Sequence, residues 1–120
     1  MRNENILTSK SFHFALRIIK LYKFLTQEKK EYILSKQVLR SGTAIGALIS
    51  EAEFAQSKAD FINKMYVSLK EANETRYWLR LLHQSDYITN EMFNSILPDI
   101  ETLIKLLVSS TKTAKQNHAK

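Results

Sequence analysis

The stretch RSGTAIGALISEAEFAQSKADFINKMYVSLKEANETRYW, from Arg40 to Trp78, decides the fold of this chain. It contains two runs with helical apolar periodicity, joined by a short polar corner that leads into Ser57 and Asp60. A serine followed three residues later by an aspartate is a helix start, because the hydroxyl accepts from a free amide and the carboxylate suits the positive end of the helix dipole. A short corner makes neighbouring helices antiparallel. The stretch therefore predicts a helical hairpin.

The first helix of this hairpin contains both glycines of the chain, Gly42 and Gly46. A glycine inside a helix costs about 1 kcal/mol relative to alanine, so a compensating interaction is expected. Together with Ser41, the glycines make one part of the helix unusually small. We expect close helix packing at Ser41, Gly42 and Gly46, either within one subunit or between subunits.

Apolar residues at three- and four-residue spacing predict one further helix on each side of the hairpin. The four predicted helices span approximately residues 9–27, 35–56, 58–84 and 90–111. Ser35 is the expected N-cap of the second helix, Pro98 should kink or break the fourth, and residues 112–120 should form a frayed basic tail. The short connections predict an all-α, antiparallel up-down-up-down four-helix bundle that forms a single domain over residues 1–120.

The first helix carries apolar residues around most of its circumference, including Phe12, Leu16 and Ile19. A surface helix of a monomer needs an apolar arc of only about 100° or slightly more. A wider arc indicates a second burial surface, most simply another subunit. The alternative is a helix buried deeply within its own bundle.

Composition restricts the class of protein. Hydrophobic residues make up 44% of the chain and charged residues 25%, as in folded soluble domains. The absence of cysteine excludes disulfides and thiolate metal sites and fits a reducing compartment. The first ten residues lack the apolar core of a signal peptide, and no apolar run reaches the ~20 residues that span a bilayer. We expect a cytoplasmic protein without membrane contact.

Catalytic and metal-binding patterns are absent from the sequence. It contains neither a Gly-x-Ser-x-Gly turn nor a glycine-rich phosphate loop. Glu51, Glu71 and Glu74 lie on the hairpin helices, but the Glu-x-x-His pairs of di-metal bundle sites do not occur. We expect a protein that is not an enzyme and that holds no metal and no cofactor.

The glutamates of the hairpin have a structural interpretation instead. Arg40 precedes Ser57 by as many residues as Glu74 follows it, so these two side chains should lie at the same height on neighbouring helices. Arg40 is therefore predicted to pair with Glu74 or Glu71, and by the same count Glu51 with Lys64. Such pairs add little net stability but fix the alignment of helices or subunits.

Basic residues exceed acidic ones by 18 to 12, which gives a net charge of +6. A row of cations suits phosphates, because each contact releases a counterion and gives salt-sensitive, sequence-independent binding. The alternative is a solvated helix surface without a ligand. The candidate nucleic-acid-binding residues are Lys10, His13, Arg17 and Lys20 in the first helix, Lys29 and Lys30 in the first connection, and Lys112 and Lys115 in the tail.

Residues 40–82 resemble the family of 23S rRNA intervening-sequence proteins. The family pattern reads approximately R-S-[AG]-x-S-I-x-x-N-I-x-E-A, then S-x-x-[DE]-F, then S-L-x-E-x-x-E-x-x-x-W-L. The matching positions are Arg40, Ser41, Ile45, Ile49, Glu51, Ala52, Ser57, Asp60, Phe61, Ser68, Leu69, Glu71, Glu74, Trp78 and Leu79. Ala44 replaces a serine and Leu48 an asparagine of the pattern, so polar contacts between subunits would be missing here and the assembly looser.

The resemblance implies a four-helix bundle that assembles as a ring, with a homopentamer as the expected form, and without established catalysis. A related branch, the accessory proteins of diversity-generating retroelements, implies a reverse transcriptase and nucleic acid as partners of a basic surface. We therefore expect a homo-oligomer that binds RNA or DNA. The alternative is a scaffold that engages a reverse transcriptase or another protein and binds no nucleic acid.

Overall fold

Four helices make up most of the computed structural model, which describes residues 2–119 and the side chains of residues 6–118. The helices are α1 (Arg2–Gln27), α2 (Leu34–Ala52), α3 (Lys58–Gln84) and α4 (Asn90–Ala119). Consecutive helices pack against one another and α1 also packs against α4, so the four helices form a closed square when viewed along the bundle axis. The bundle measures 50 × 22 × 19 Å. The predicted all-α antiparallel four-helix bundle is confirmed.

A single apolar core runs along the axis of the bundle. Every helix contributes side chains at three- and four-residue spacing, and burying each large one contributes about 1.5–3 kcal/mol. The largest of these fully buried side chains include Leu7, Phe14, Ile18, Leu25, Val38, Ile45, Met65, Leu79, Leu82, Ile100, Leu103 and Leu107. Among the described residues, no helix is long and apolar enough to cross a membrane.

Two helices extend further than their apolar pattern predicted. α1 begins at Arg2, not near residue 9, and α4 continues to Ala119 through the tail predicted to fray. Lys120 of that tail lies outside the described residues. The end of α4 is supported by the bundle, since Thr111 is buried and Ala114 lines a groove shared with Phe61 beside the α2–α3 corner. This support explains why the polar tail stays helical.

The start of α2 differs from the predicted cap. Ser35 is buried and does not cap the helix, which begins at Leu34. Glu31 takes this role, because its carboxylate accepts from the backbone amides of Ile33 at 3.2 Å, Leu34 at 3.0 Å and Ser35 at 2.7 Å. A carboxylate at this position also suits the positive end of the helix dipole.

The start of α3 follows the predicted signal, whereas Pro98 does not break α4. Ser57 Oγ accepts from the amide of Asp60 at 3.0 Å, which confirms the cap expected there. α4 is continuous through Pro98. Pro98 and Asn94 are both exposed, so water can bond the Asn94 carbonyl that lacks its usual amide partner.

The small residues of α2 contact two different helices of the same chain. A Cβ built on Gly42 would lie 2.8 Å from Ile18 Cγ1, and one on Gly46 would lie 3.2 Å from Ser11 Oγ, so both glycines face α1. Ser41 faces α3 instead, where its Oγ lies 2.8 Å from Thr75 Oγ1. The close approach is thus made within one subunit.

Candidate interaction surfaces

The square arrangement gives the bundle four long sides, each formed by two neighbouring helices. The α2–α3 side carries hydrogen-bonded ion pairs, and the α1–α4 side carries basic residues together with the carboxylate of Asp99. The α1–α2 side is apolar and carries small residues. The α3–α4 side combines tyrosines with cations. The predicted site residues are therefore distributed over different sides.

The ion pairs of the α2–α3 side centre on Arg40. Its guanidinium donates to Glu71 Oε1 at 3.1 Å and also to Glu74 Oε2, and Trp78 Nε1 donates to the same Glu74 oxygen at 2.9 Å. The indole hydrogen bond, followed by the guanidinium, lowers the pKa of Glu74, and the bond to Glu74 raises the pKa of Arg40. The structure thus brings Arg40 together with both of its candidate partners.

A second pair on this side joins Lys64 Nζ to Glu51 Oε1 at 3.1 Å, and that hydrogen bond raises the pKa of Lys64. The Arg40 side chain is 51% exposed and that of Glu51 56%, so water screens both pairs and neither contributes much to stability. Each carboxylate is bonded to a cation, and the described residues contain no cluster of histidines and acids able to hold a metal ion. The arrangement aligns two helices and offers no free acid or base.

Arg17, a candidate phosphate ligand, braces two helices on the α1–α4 side. Its guanidinium donates to Asp99 Oδ2 at 2.7 Å, to the Ser95 carbonyl at 3.0 Å and to Ser95 Oγ at 2.8 Å. Asp99 also lines a cleft with Lys10 and His13, which places a negative charge beside the Lys10 ammonium and the His13 ring. The predicted basic stripe of α1 is therefore partly neutralised by α4. This neutralisation could not be predicted from the sequence, because helical periodicity does not tell which side of α4 packs against α1 and hence that Asp99 lies beside the basic residues of α1.

The remaining candidate cations lie at opposite ends of the bundle. Lys29 lies over the Phe24 ring, 5.9 Å from its centroid, and Lys30 has a left-handed backbone with φ of 56°, both just after the end of α1. Lys112 and Lys115 lie near the end of α4. The two helices run antiparallel, so these pairs of lysines do not form one patch within a subunit.

The α1–α2 side exposes apolar side chains. Phe12 is 62% exposed, Leu16 47% and Ile19 37%, at spacings of four and three residues along one line of α1. Beside them lies a shallow groove of about 280 Å³ whose α2 wall consists of small side chains, among them Thr43 and Ala47. The wide apolar arc of α1 is therefore not absorbed by the bundle.

The α3–α4 side holds residues that sequence reasoning did not select. Tyr66 and Tyr77 are 43% and 54% exposed, and Lys70 and Arg80 lie on the same line of α3. Lys115 of α4 reaches across, with its Nζ 4.4 Å from the centroid of the Tyr66 ring. The signal was present in the sequence, because Tyr66, Lys70, Tyr77 and Arg80 follow one another at spacings of four, seven and three residues, which places them on one line of a helix.

Comparison with known proteins gives a consistent result. The model of the family described as 23S rRNA-intervening sequence protein matches residues 3–109. A crystal structure of a protein of unknown function from the S23 ribosomal protein family of Bacteroides thetaiotaomicron is similar, with 57% identity and a TM-score of 0.90. That similarity covers 92% of this chain and 98% of the other. No curated protein matches the chain.

Proposed function

The chain belongs to the 23S rRNA-intervening sequence protein family, and on that premise we propose that it is a non-enzymatic bundle that forms a ring and binds RNA or DNA through surface cations. The distribution of charge carries the proposal. Intramolecular hydrogen bonds engage Glu51, Glu71, Glu74 and Asp99, and this leaves exposed lysines of the described chain free of ion pairs. Basic residues still outnumber acidic ones among the exposed charges, in keeping with the net charge of +6.

The apolar α1–α2 side supports assembly. Phe12, Leu16 and Ile19 form an uncharged ridge beside a groove of small residues, and a contiguous exposed apolar patch is typical of a protein interface. A cyclic ring needs two different patches on each subunit, so this ridge contacts another part of its neighbour. A homopentamer is the form we propose. Repetition of the same cations around a ring raises the affinity for a long polyanion by avidity.

The binding chemistry is phosphate neutralisation in this proposal. Lys112 and Lys115 are exposed on the last turns of α4, whereas the guanidinium of Arg17 is already hydrogen-bonded to the Asp99 carboxylate. Each lysine that contacts a phosphate displaces a counterion, so the affinity falls steeply as salt rises. We place the protein in the cytoplasm, where such polyanions are abundant.

Fluorescence anisotropy with a labelled structured RNA and a labelled DNA of equal length, at ~50 to ~200 mM salt, tests the proposal. We expect binding at the lowest salt and a loss of affinity of at least about tenfold over this range. The single variants Lys112→Glu and Lys115→Glu should each bind more weakly, whereas Lys36→Glu on α2, which changes the net charge equally, serves as the matched control. Absence of binding at ~50 mM salt, or binding that ignores salt, would overturn the proposal in favour of a protein scaffold.

A further inference from the structure

We infer that the α3–α4 side is the nucleic-acid contact and that it takes single-stranded RNA, with unpaired bases stacked on Tyr66 and Tyr77. This rests on the proposed function, which requires a polyanion but does not say where it binds or in what form. We define the α3–α4 face by Tyr66, Lys70, Tyr77 and Arg80 of α3 and by Lys112 and Lys115 of α4.

The first argument is the separation of charge on α3. The acids of this helix are Asp60, Glu71 and Glu74. Glu71 and Glu74 bond to Arg40 of α2, and Asp60 lies at the start of the helix, where its carboxylate accepts from the Gln56 amide. At a helical spacing of 100° per residue, Lys70 and Arg80 lie within about 40° of Tyr66, on the line of α3 that faces solvent. Glu74 lies one turn after Lys70, but its carboxylate is bonded to Arg40 and Trp78. A phosphate backbone laid along this line therefore meets cations of α3, while Glu71 and Glu74 are already paired with Arg40.

The second argument is the placement of the two tyrosines. Eleven residues separate Tyr66 from Tyr77, which is close to three whole turns, so the rings lie on one line about 16 Å apart. Both are exposed although large aromatic side chains gain most from burial. Tyr77 packs edge-on against Trp78, with ring centroids 5.1 Å apart, which restrains its ring. Aromatic rings interleaved with cations are the arrangement by which proteins bind single strands.

The third argument concerns the form of the ligand. Bases in a duplex are stacked on one another and cannot reach a tyrosine ring, so exposed rings add affinity only for an unpaired strand. Asn73 lies between the tyrosines on the same line and is exposed. Its Oδ1 accepts from Arg76 at 3.2 Å, so its NH2 group is left to donate to the 2′-hydroxyl that distinguishes RNA from DNA. These features favour single-stranded RNA over duplex RNA and over single-stranded DNA.

The face is also compatible with the proposed ring. α1 and α2 form one side of the square and α3 and α4 the opposite one. Burial of Phe12, Leu16 and Ile19 therefore does not itself cover the tyrosines and lysines, and in this proposal the patch of the neighbour that receives the ridge lies outside the α3–α4 face. Glu101 of α4 lies on the line of that helix that also carries Lys112, eleven residues further on, and it gives the proposal a specific charge to test.

Anisotropy of a labelled oligouridylate tests the inference, with an RNA duplex and an oligothymidylate of equal length as competitors. We expect the single-stranded RNA to bind most tightly. Tyr66→Ala and Tyr77→Ala should each weaken it about fivefold or more, while Tyr→Phe variants, which keep the ring, should bind nearly normally. Tyr32→Ala is the matched control, since Tyr32 is 53% exposed in the α1–α2 connection. Circular dichroism confirms that each variant is folded.

The outcomes separate the two proposals. Salt-sensitive binding that both Tyr→Ala variants retain, or a preference for the duplex, would overturn the stacking inference while the proposed function stands. Equal affinity for oligouridylate and oligothymidylate would overturn the assignment to RNA. Absence of binding to all three probes at ~50 mM salt would overturn the proposed function and this inference together. Glu101→Gln should tighten binding if the strand follows the face as described.

Discussion

Thr75 Oγ1 lies 2.8 Å from Ser41 Oγ, with both residues fully buried between α2 and α3. The same Thr75 oxygen is 2.8 Å from the Glu71 carbonyl, and a hydroxyl has one proton, so Thr75 donates to the carbonyl and accepts from Ser41. Ser68 adds a further buried bond by donating to the Ile45 carbonyl at 2.9 Å. Buried hydroxyls with fixed partners hold the register of these two helices.

We predict that Thr75→Val destabilises the fold by about 1–3 kcal/mol, because valine keeps the shape but leaves the Ser41 hydroxyl without an acceptor. Urea denaturation followed by circular dichroism measures the change. The double variant Ser41→Ala/Thr75→Val should lose less than the sum of the single losses, since no buried hydroxyl is then left unpaired. Strict additivity would contradict the pairing.

Gly42 leads to a second stability prediction. A Cβ at this position would lie 2.8 and 2.9 Å from two carbons of Ile18, a core side chain without room to move. Gly42→Ala should therefore destabilise the protein by about 1–3 kcal/mol, although alanine is the better helix former. Gly46→Ala is the control, since its Cβ would meet Ser11 Oγ at 3.2 Å and needs a smaller shift. Equal thermal stability of the two variants would contradict this account.

The bonds around Glu74 predict a specific acid response. The lowered pKa of Glu74 means that the folded state favours its carboxylate form. This preference stabilises the fold above the ordinary glutamate pKa of about 4.3, and the stabilisation is lost as the pH falls through the folded-state pKa. Trp78→Phe removes the indole donor, the largest cause of the shift, and should raise the pKa of Glu74 towards the ordinary value. Carboxyl chemical shifts across an NMR titration measure it.

Arg40→Gln is the companion variant in that titration. It removes a hydrogen bond and a positive charge, and should also raise the pKa of Glu74, since both lower it in the native protein. A Glu74 titration that is unchanged in Trp78→Phe would show that the indole bond does not form in solution.

The sequence predicted the fold well, because apolar spacing and the Ser57 cap are local signals that the structure obeys. The relative height of Arg40 and Glu74 followed from counting residues across a short corner. The role of Arg17 did not follow, because Asp99 is brought near only by packing. The start of α2 was assigned to the wrong residue although Glu31 lies only four positions before Ser35, because several nearby side chains can cap a helix and the sequence does not choose among them. The line of Tyr66 and Tyr77 could be read from their spacing of eleven residues, but its position beside Lys115 of α4 depends on packing.

The last prediction concerns assembly through the α1–α2 side, and it compares substitutions at two apolar residues of nearly equal exposure. Leu16 is 47% exposed on the α1–α2 side and Val108 is 48% exposed on α4. A charge at Leu16 would have to be buried unpaired in the proposed interface, which is costly, whereas a charge at Val108 would stay in water. We expect light scattering to give a mass near five times 14.0 kDa for the native protein and for Val108→Glu, and a monomer for Leu16→Glu. A Leu16→Glu variant that keeps the native mass would place the interface elsewhere, and dissociation of both variants would show that the surface around Val108 is buried in the assembly too. A native monomer would remove the avidity from which the ring draws its affinity for RNA.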